Sequence, residues 1–168
     1  MFVFFFIFYD ILSLRYSNRI CLYRIIIKVE HKKRGRSMEK KILIVDDNPD
    51  ILVSLRSVFE HNDFEVLTVD SGNDCIEELE RGFKGIILMD LVMPFMDGWD
   101  TIREIIRRGL DKDVIISIIT ANGSAEPEKM KGLEPFIHDY IAKPFNIDEL
   151  LENIRQLLVP EEKKILVE

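Results

Sequence analysis

The sequence predicts an α/β fold, a five-stranded parallel sheet with helices on both faces. Two observations carry that prediction. From Met38 onward, five apolar runs alternate with amphipathic segments in the order βαβαβαβαβα. Such alternation favours parallel strands joined by right-handed helical crossovers. Three of the runs, 42–45, 85–89 and 114–119, are almost unbroken β-branched or aliphatic stretches. Strands of that kind are covered on both faces, as in the middle of a doubly wound sheet.

The elements follow in order. The run at 42–45 is the first strand. Asn48 then offers a cap and Pro49 a first helical residue. Ile51, Leu52, Leu55, Val58 and Phe59 recur at helical spacing behind them. The mixed run at 64–69 suits an edge strand, and Ser71 caps a second helix with Ile76 and Leu79 turned inward. The run at 85–89 is the third strand. Trp99, Ile102, Ile105 and Ile106 mark a third helix, stopped by Gly109 after Arg107 and Arg108. The run at 114–119 is the fourth strand. Gly123, Pro127, Gly132 and Pro135 leave room only for a short fourth helix, and Pro135 should bias Glu134 away from helical geometry. The mixed run at 137–142 is the other edge strand. Asn146 and Glu149 resemble a capping box, opening a helix with Leu150, Leu151, Ile154, Leu157 and Leu158 on one face.

Charge divides the chain. Its 168 residues carry a net charge of -7, but residues 1–37 stand at +6 and residues 38–168 at -13. Residues 1–37 also hold half of the aromatic side chains. Their apolar run at 2–9 is too short to span a bilayer, and no positive region precedes it as a secretory signal requires. The expectation is that residues 1–37 are a disordered or non-native extension and that the native protein starts at Met38. A membrane-surface anchor or a docking segment are the alternatives. Strong acidity from residue 38 onward disfavours nucleic acid as a partner. Two cysteines exclude a disulfide scaffold. There is no GxGxxG motif, no P-loop and no nucleophile elbow, and His31, His61 and His138 have no metal-ligand spacing.

In an open α/β sheet, ligands bind at the carboxyl ends of the strands. Those ends carry Asp46 and Asp47, Asp90, Thr120, and Lys143 followed by Pro144. Three carboxylates, a hydroxyl and an ammonium therefore converge on one rim. Two like charges about 4 Å apart repel by about 4 kcal/mol at an effective dielectric near 20, so the acids call for a cation. Oxygen ligands without His or Cys favour Mg²⁺, with Mn²⁺ as the alternative. A carboxylate beside such an ion can also act as a nucleophile toward phosphorus. The simpler readings are that Asp46 and Asp47 merely cap a helix, that Thr120 and Tyr140 are packing residues, and that Cys75 is buried. Asp97 and Gly98 read as shaping the third helix and Trp99 as core.

Four stretches in order complete the argument. Ile-Leu-Ile-Val-Asp46-Asp47-Asn48, Met89-Asp90-Leu-Val-Met-Pro94-Phe-Met-Asp97-Gly98, Ile-Thr120-Ala121 and Tyr140-Ile-Ala-Lys143-Pro144-Phe145 resemble the receiver domain of two-component response regulators. The resemblance is to a single-domain, chemotaxis-regulator-like form and implies the flavodoxin-like strand order 2-1-3-4-5. It places a receiver at 38–160 and a short tail at 161–168. It implies that Asp90 accepts a phosphoryl group from a sensor histidine kinase or a phosphotransfer protein. Asp47 binds Mg²⁺ directly, Asp46 does so through water or supports the site, and Val92 lends its backbone carbonyl. Lys143 contacts the phosphoryl group, Thr120 moves to it, and Tyr140 turns inward. The face of the fourth helix, fifth strand and fifth helix then changes its protein partner.

The implied protein is a stand-alone cytoplasmic switch, a monomer or weak dimer, and not an enzyme beyond its own phosphorylation and slow dephosphorylation. Val92 and Asn122 stand where the family tunes phosphate lifetime, and an apolar Val92 implies slow to moderate loss. A phosphorylation-independent binding module and a Mg²⁺-dependent phosphohydrolase are the rival readings.

Overall fold

The computed structural model describes residues 39–121 and 127–158. The expectations for residues 1–37, Asn122 and the 161–168 tail lie outside those residues. In chain order the elements are β1 (Lys41–Val45), α1 (Pro49–His61), β2 (Glu65–Val69), α2 (Gly72–Glu80), β3 (Gly85–Asp90), α3 (Gly98–Arg107), β4 (Val114–Thr120), α4 (Pro127–Met130), β5 (Ile137–Ala142) and α5 (Ile147–Leu158). All strand pairs are parallel, and the sheet order is β2-β1-β3-β4-β5. The two mixed runs are indeed the edges.

Side-chain alternation along each inner strand builds two cores. Ile42 and Ile44 of β1 and Ile86 and Leu88 of β3 face one side, where α1 adds Leu55 and Phe59 and α5 adds Leu150, Leu151 and Ile154. Leu43, Val45, Ile87 and Met89 face the other, against Cys75, Ile76 and Leu79 of α2 and Trp99, Ile102 and Ile105 of α3. The register explains the layering, since Ile42 pairs with Ile86 and Leu43 with Ile87. Each fully buried aliphatic side chain contributes about 1.5–3 kcal/mol relative to exposure. Cys75 belongs to this core, and burial pushes its thiol up to about 12, so it is inert at neutral pH.

The helix ends are chemically marked. Asn48 accepts from the Asp50 amide with Pro49 behind it, Ser71 accepts from Asp74, and Asp97 accepts from Asp100. Asn146 accepts from the Asp148 and Glu149 amides at 2.8 and 3.4 Å. Gly109, with φ +70°, follows the C-cap of α3 in the left-handed geometry that glycine tolerates. One local expectation fails. Glu134 opens a 3-10 turn, Glu134–Phe136, instead of leaving helical space. Pro135 falls in the first turn of that element, where its missing N–H has no partner to lose, and the Glu134 carboxylate accepts the Gly132 amide at 2.7 Å. The helix before it, α4, is four residues long.

Candidate functional site

Parallel strands deliver their carboxyl ends to one rim, and the rim is where the singled-out residues stand. Asp46 and Asp47 follow β1, Asp90 closes β3, Thr120 closes β4 and Lys143 follows β5. The Asp46 amide donates to the Val69 carbonyl at 3.3 Å, and the Lys143 amide donates to the Thr120 carbonyl at 2.8 Å. Both flanking segments are thus pinned to their neighbours. The peptide bond between Lys143 and Pro144 is cis.

At the centre, the Lys143 ammonium donates to Asp46 Oδ2 at 2.6 Å and to Asp90 Oδ2 at 3.2 Å. The side chains of Asp46 and Asp90 are 4% and 8% exposed, and that of Lys143 is 18% exposed. Asp46 Oδ1 accepts the Asn48 amide at 2.9 Å. Asp90 Oδ1 accepts the Leu91 amide at 2.8 Å, with the Val92 amide at 3.5 Å. Asp47 is exposed. One oxygen from each of Asp46, Asp47 and Asp90 lies within 4.8 Å of the other two.

The electrostatics follow from burial. Desolvation raises the Asp90 carboxyl above its ordinary range, Lys143 opposes that, and the Asp46 charge reinforces it. Burial alone would lower the Lys143 ammonium. Its hydrogen bond to Asp46 and the charges of Asp90 and Asp46 outweigh that, so it is raised. Two carboxylates sharing one ammonium leave a net negative rim, and the exposed Asp47 adds to it. An all-oxygen donor set with one open carboxylate fits a hard, partly hydrated divalent cation.

Replacing Lys143 by methionine removes the ammonium that both buried carboxylates share. In metal-free buffer at pH 7 the expected loss is about 3 kcal/mol, the lower end for breaking a buried pair. Because the folded pKa of Lys143 is raised, its stabilisation is complete below the unfolded lysine value and fades only as the pH rises through the folded one. In acid the deficit narrows as Asp90 takes up a proton. Urea denaturation at pH 7 and pH 5 checks this, and equal midpoints for the two chains would refute it.

Other residues fall as their types suggested. Thr120 is fully buried at the rim. Tyr140 is partly buried with its hydroxyl oxygen enclosed, and its ring stands 6.2 Å from that of Trp99 at 35°. Trp99 is completely buried, and its Nε1 has no hydrogen-bond acceptor among the described residues. Asp97 caps α3 through Oδ1 and receives the Lys129 ammonium on Oδ2 at 3.1 Å. Gly98, read from the sequence as shaping the third helix, also shapes the site. A Cβ on Gly98 would lie 2.3 Å from the Asp90 carbonyl oxygen and 2.8 Å from Leu91 Cα. The Asp-Gly pair hinted at a turn, but the close approach to the Asp90 backbone is visible only in three dimensions.

A model of the response regulator receiver domain matches residues 42–155. The chain belongs to the response regulator receiver family. Among curated relatives, this receiver is 31% identical over 118 residues to the transcriptional regulatory protein PrrA of Mycobacterium tuberculosis, covering 70% of the chain and 49% of the relative. The chain thus spans about half the length of the curated relatives it matches. Among solved structures, the CheY-like receiver of Methanospirillum hungatei superposes with a TM-score of 0.66 at 36% identity, over 70% of this chain and 93% of that one. The receiver domain of the Pseudomonas aeruginosa sensor histidine kinase PA1611, solved with a magnesium ion in its active-site cleft, gives 0.63 at 29% identity, over 71% and 98%. The strand order of this receiver is the CheY-like, flavodoxin-like one. Among the described residues, no helix is long and apolar enough to cross a membrane.

Proposed function

We propose that Asp90 is the phosphoacceptor of a cytoplasmic two-component switch. The observation that carries this reading is the Lys143 ammonium bridging the buried carboxylates of Asp46 and Asp90, with exposed Asp47 beside them. A carboxylate with a raised pKa next to an anchored ammonium is a nucleophile whose product charge is already met by a cation. One Asp90 oxygen attacks phosphorus, the bond from phosphorus to a histidine nitrogen of the donor breaks, and the histidine keeps that electron pair. The product is an aspartyl phosphate.

Asp47 and Asp90 would hold Mg²⁺, with Asp46 acting through water and Val92 through its backbone carbonyl. When bound, the ion neutralises phosphoryl oxygens; Mn²⁺ would serve the same donor set. Lys143 turns part of its hydrogen bonding from Asp46 to the phosphoryl group. Thr120, at the adjacent strand end, donates its hydroxyl to a second phosphoryl oxygen, and Tyr140 follows into the space left behind. Shifting a two-state equilibrium from 1:99 to 99:1 takes about 5.5 kcal/mol, which new charge-assisted bonds can supply. Output is then a change of protein partner on the face of α4, β5 and α5. The donor is a sensor histidine kinase or a phosphotransfer protein. The presence of magnesium in a relative's cleft supports the metal assignment.

The test is incubation of the intact chain with acetyl phosphate and Mg²⁺, followed by peptide mass spectrometry of the reduced acyl phosphate. The expected result is one labelled peptide, with the adduct on Asp90. Chelation of the metal lowers the labelling rate at least tenfold. Labelling elsewhere, or labelling indifferent to chelator, would overturn the proposal.

A further inference from the structure

Among the described residues, two non-glycine residues hold a left-handed backbone, Asp63 with φ 62° and Phe95 with φ 67°. Aspartate is a type that tolerates this conformation, whereas for a bulky ring it is an outlier. Phe95 is also fully exposed, at 107% of the reference area, although aromatic rings ordinarily bury most of their surface. A strained backbone that carries an apolar ring into solvent gains nothing for the fold, and such outliers persist where function holds them.

Its place in the chain gives the ring a purpose. Phe95 lies in the loop 91–98 that runs on from Asp90 and is closed by the Gly98 amide donating to the Leu91 carbonyl at 3.0 Å. Within that loop the Met96 amide also donates to the Pro94 carbonyl at 2.8 Å, which ties down the residues on either side of Phe95. Val92, in the same loop, leaves 57% of its surface open. The Asp90 carboxylate at the root of the loop is only 8% exposed. A phosphorus atom bound to a protein histidine reaches Asp90 only if the donor's surface closes over the rim.

We propose that Phe95, flanked by Val92, is the apolar anchor on which the phosphohistidine-bearing donor protein docks. The inference rests on Asp90 being the phosphoacceptor. The partner it fits has an apolar recess for the ring, bordered by a basic side chain that faces the exposed Asp47. A small phosphodonor needs no such recess. Phe95 therefore separates protein donors from small ones and sets which protein donor is used.

Phe95→Gly suits the test, because glycine accepts the left-handed backbone and removes only the ring. Intact wild type, Phe95→Gly and Phe95→Tyr are offered acetyl phosphate and, separately, the radiolabelled autophosphorylated histidine kinase cores of the source organism. The expected result is labelling by acetyl phosphate within twofold for all three chains. Transfer from at least one kinase core falls tenfold or more in Phe95→Gly and recovers in Phe95→Tyr. Equal transfer to wild type and Phe95→Gly overturns the proposal. So does a parallel fall with both donors, which would place Phe95 in the phosphorylation chemistry itself. Wild type labelled by acetyl phosphate but by no kinase core also overturns it. So does a dimer, seen by sedimentation, that Phe95→Gly dissolves, because the ring would then serve a second copy. If acetyl phosphate fails to label wild type at all, the assignment of Asp90 falls instead.

Discussion

Asp90→Asn leaves the chain unlabelled by acetyl phosphate and makes the metal-free fold more stable. The first effect is chemical. An amide oxygen cannot displace a leaving group from phosphorus to give a stable acyl phosphate, so labelling drops at least a hundredfold. The second effect comes from the surroundings. Asp90 is buried beside Asp46, and desolvation raises its carboxyl. A carboxyl whose folded pKa lies above its unfolded one stabilises below the unfolded value, and that advantage is lost as the pH rises through the folded one. At pH 7 the ionised side chain therefore works against the fold. Asparagine keeps the acceptor for the Leu91 amide, and Lys143 keeps its 2.6 Å contact with Asp46. The expected gain is about 1 kcal/mol, in the range of other functional-site relaxations. For a domain of this size that is about 4 °C in Tm. The gap should close in acid, as wild-type Asp90 protonates. Melting curves at pH 7 and pH 4.5 with chelator present decide it, and a variant that melts below wild type at pH 7 would show that Asp90 is not strained by its burial.

Gly98→Ala lowers both stability and labelling. The added methyl would stand 2.3 Å from the Asp90 carbonyl and 2.8 Å from Leu91 Cα. Both neighbours are backbone, so no side chain can rotate away. The loop 91–98 has to shift as a unit, because the Gly98 amide closes it on the Leu91 carbonyl. That movement takes the Leu91 amide from Asp90 and the Asp97 cap from α3. Overpacking costs typically 1–3 kcal/mol, and this site belongs at the top of that range. The expected outcome is a Tm lower by roughly 10 °C and a labelling rate lower by at least tenfold at a temperature where the variant is still folded. Unchanged melting and labelling would mean that the loop accommodates a side chain the geometry excludes.

Much of this was legible from residue types alone. The runs at 42–45, 85–89 and 114–119 read as interior strands because both faces are apolar, and their neighbours in the sheet bear that out. Asn48, Ser71, Asp97 and Asn146 read as caps because a short polar side chain satisfies the amides a helix leaves open. The expectation for Glu134 fails because Pro135 takes a first-turn position, where a proline costs no hydrogen bond. Phe95 carried no local signal at all. Nothing in its neighbours announces a left-handed backbone on a phenylalanine, since glycine or asparagine is the usual marker.

Residue types and their order alone dictate a parallel α/β sheet with acids, a hydroxyl and an ammonium at its strand ends. Periodicity and strand direction suffice for that, because parallel strands must end on the same rim. How those groups divide the charge is set by packing between strands far apart in the chain. Lys143 lies 97 residues beyond Asp46 and 53 beyond Asp90, yet it touches both. That contact depends on β1, β3, β4 and β5 lying side by side in the observed order. The same holds for the buried state of Asp90 and the open state of Asp47. Both are acids after apolar runs in the sequence, and only packing tells which one faces water.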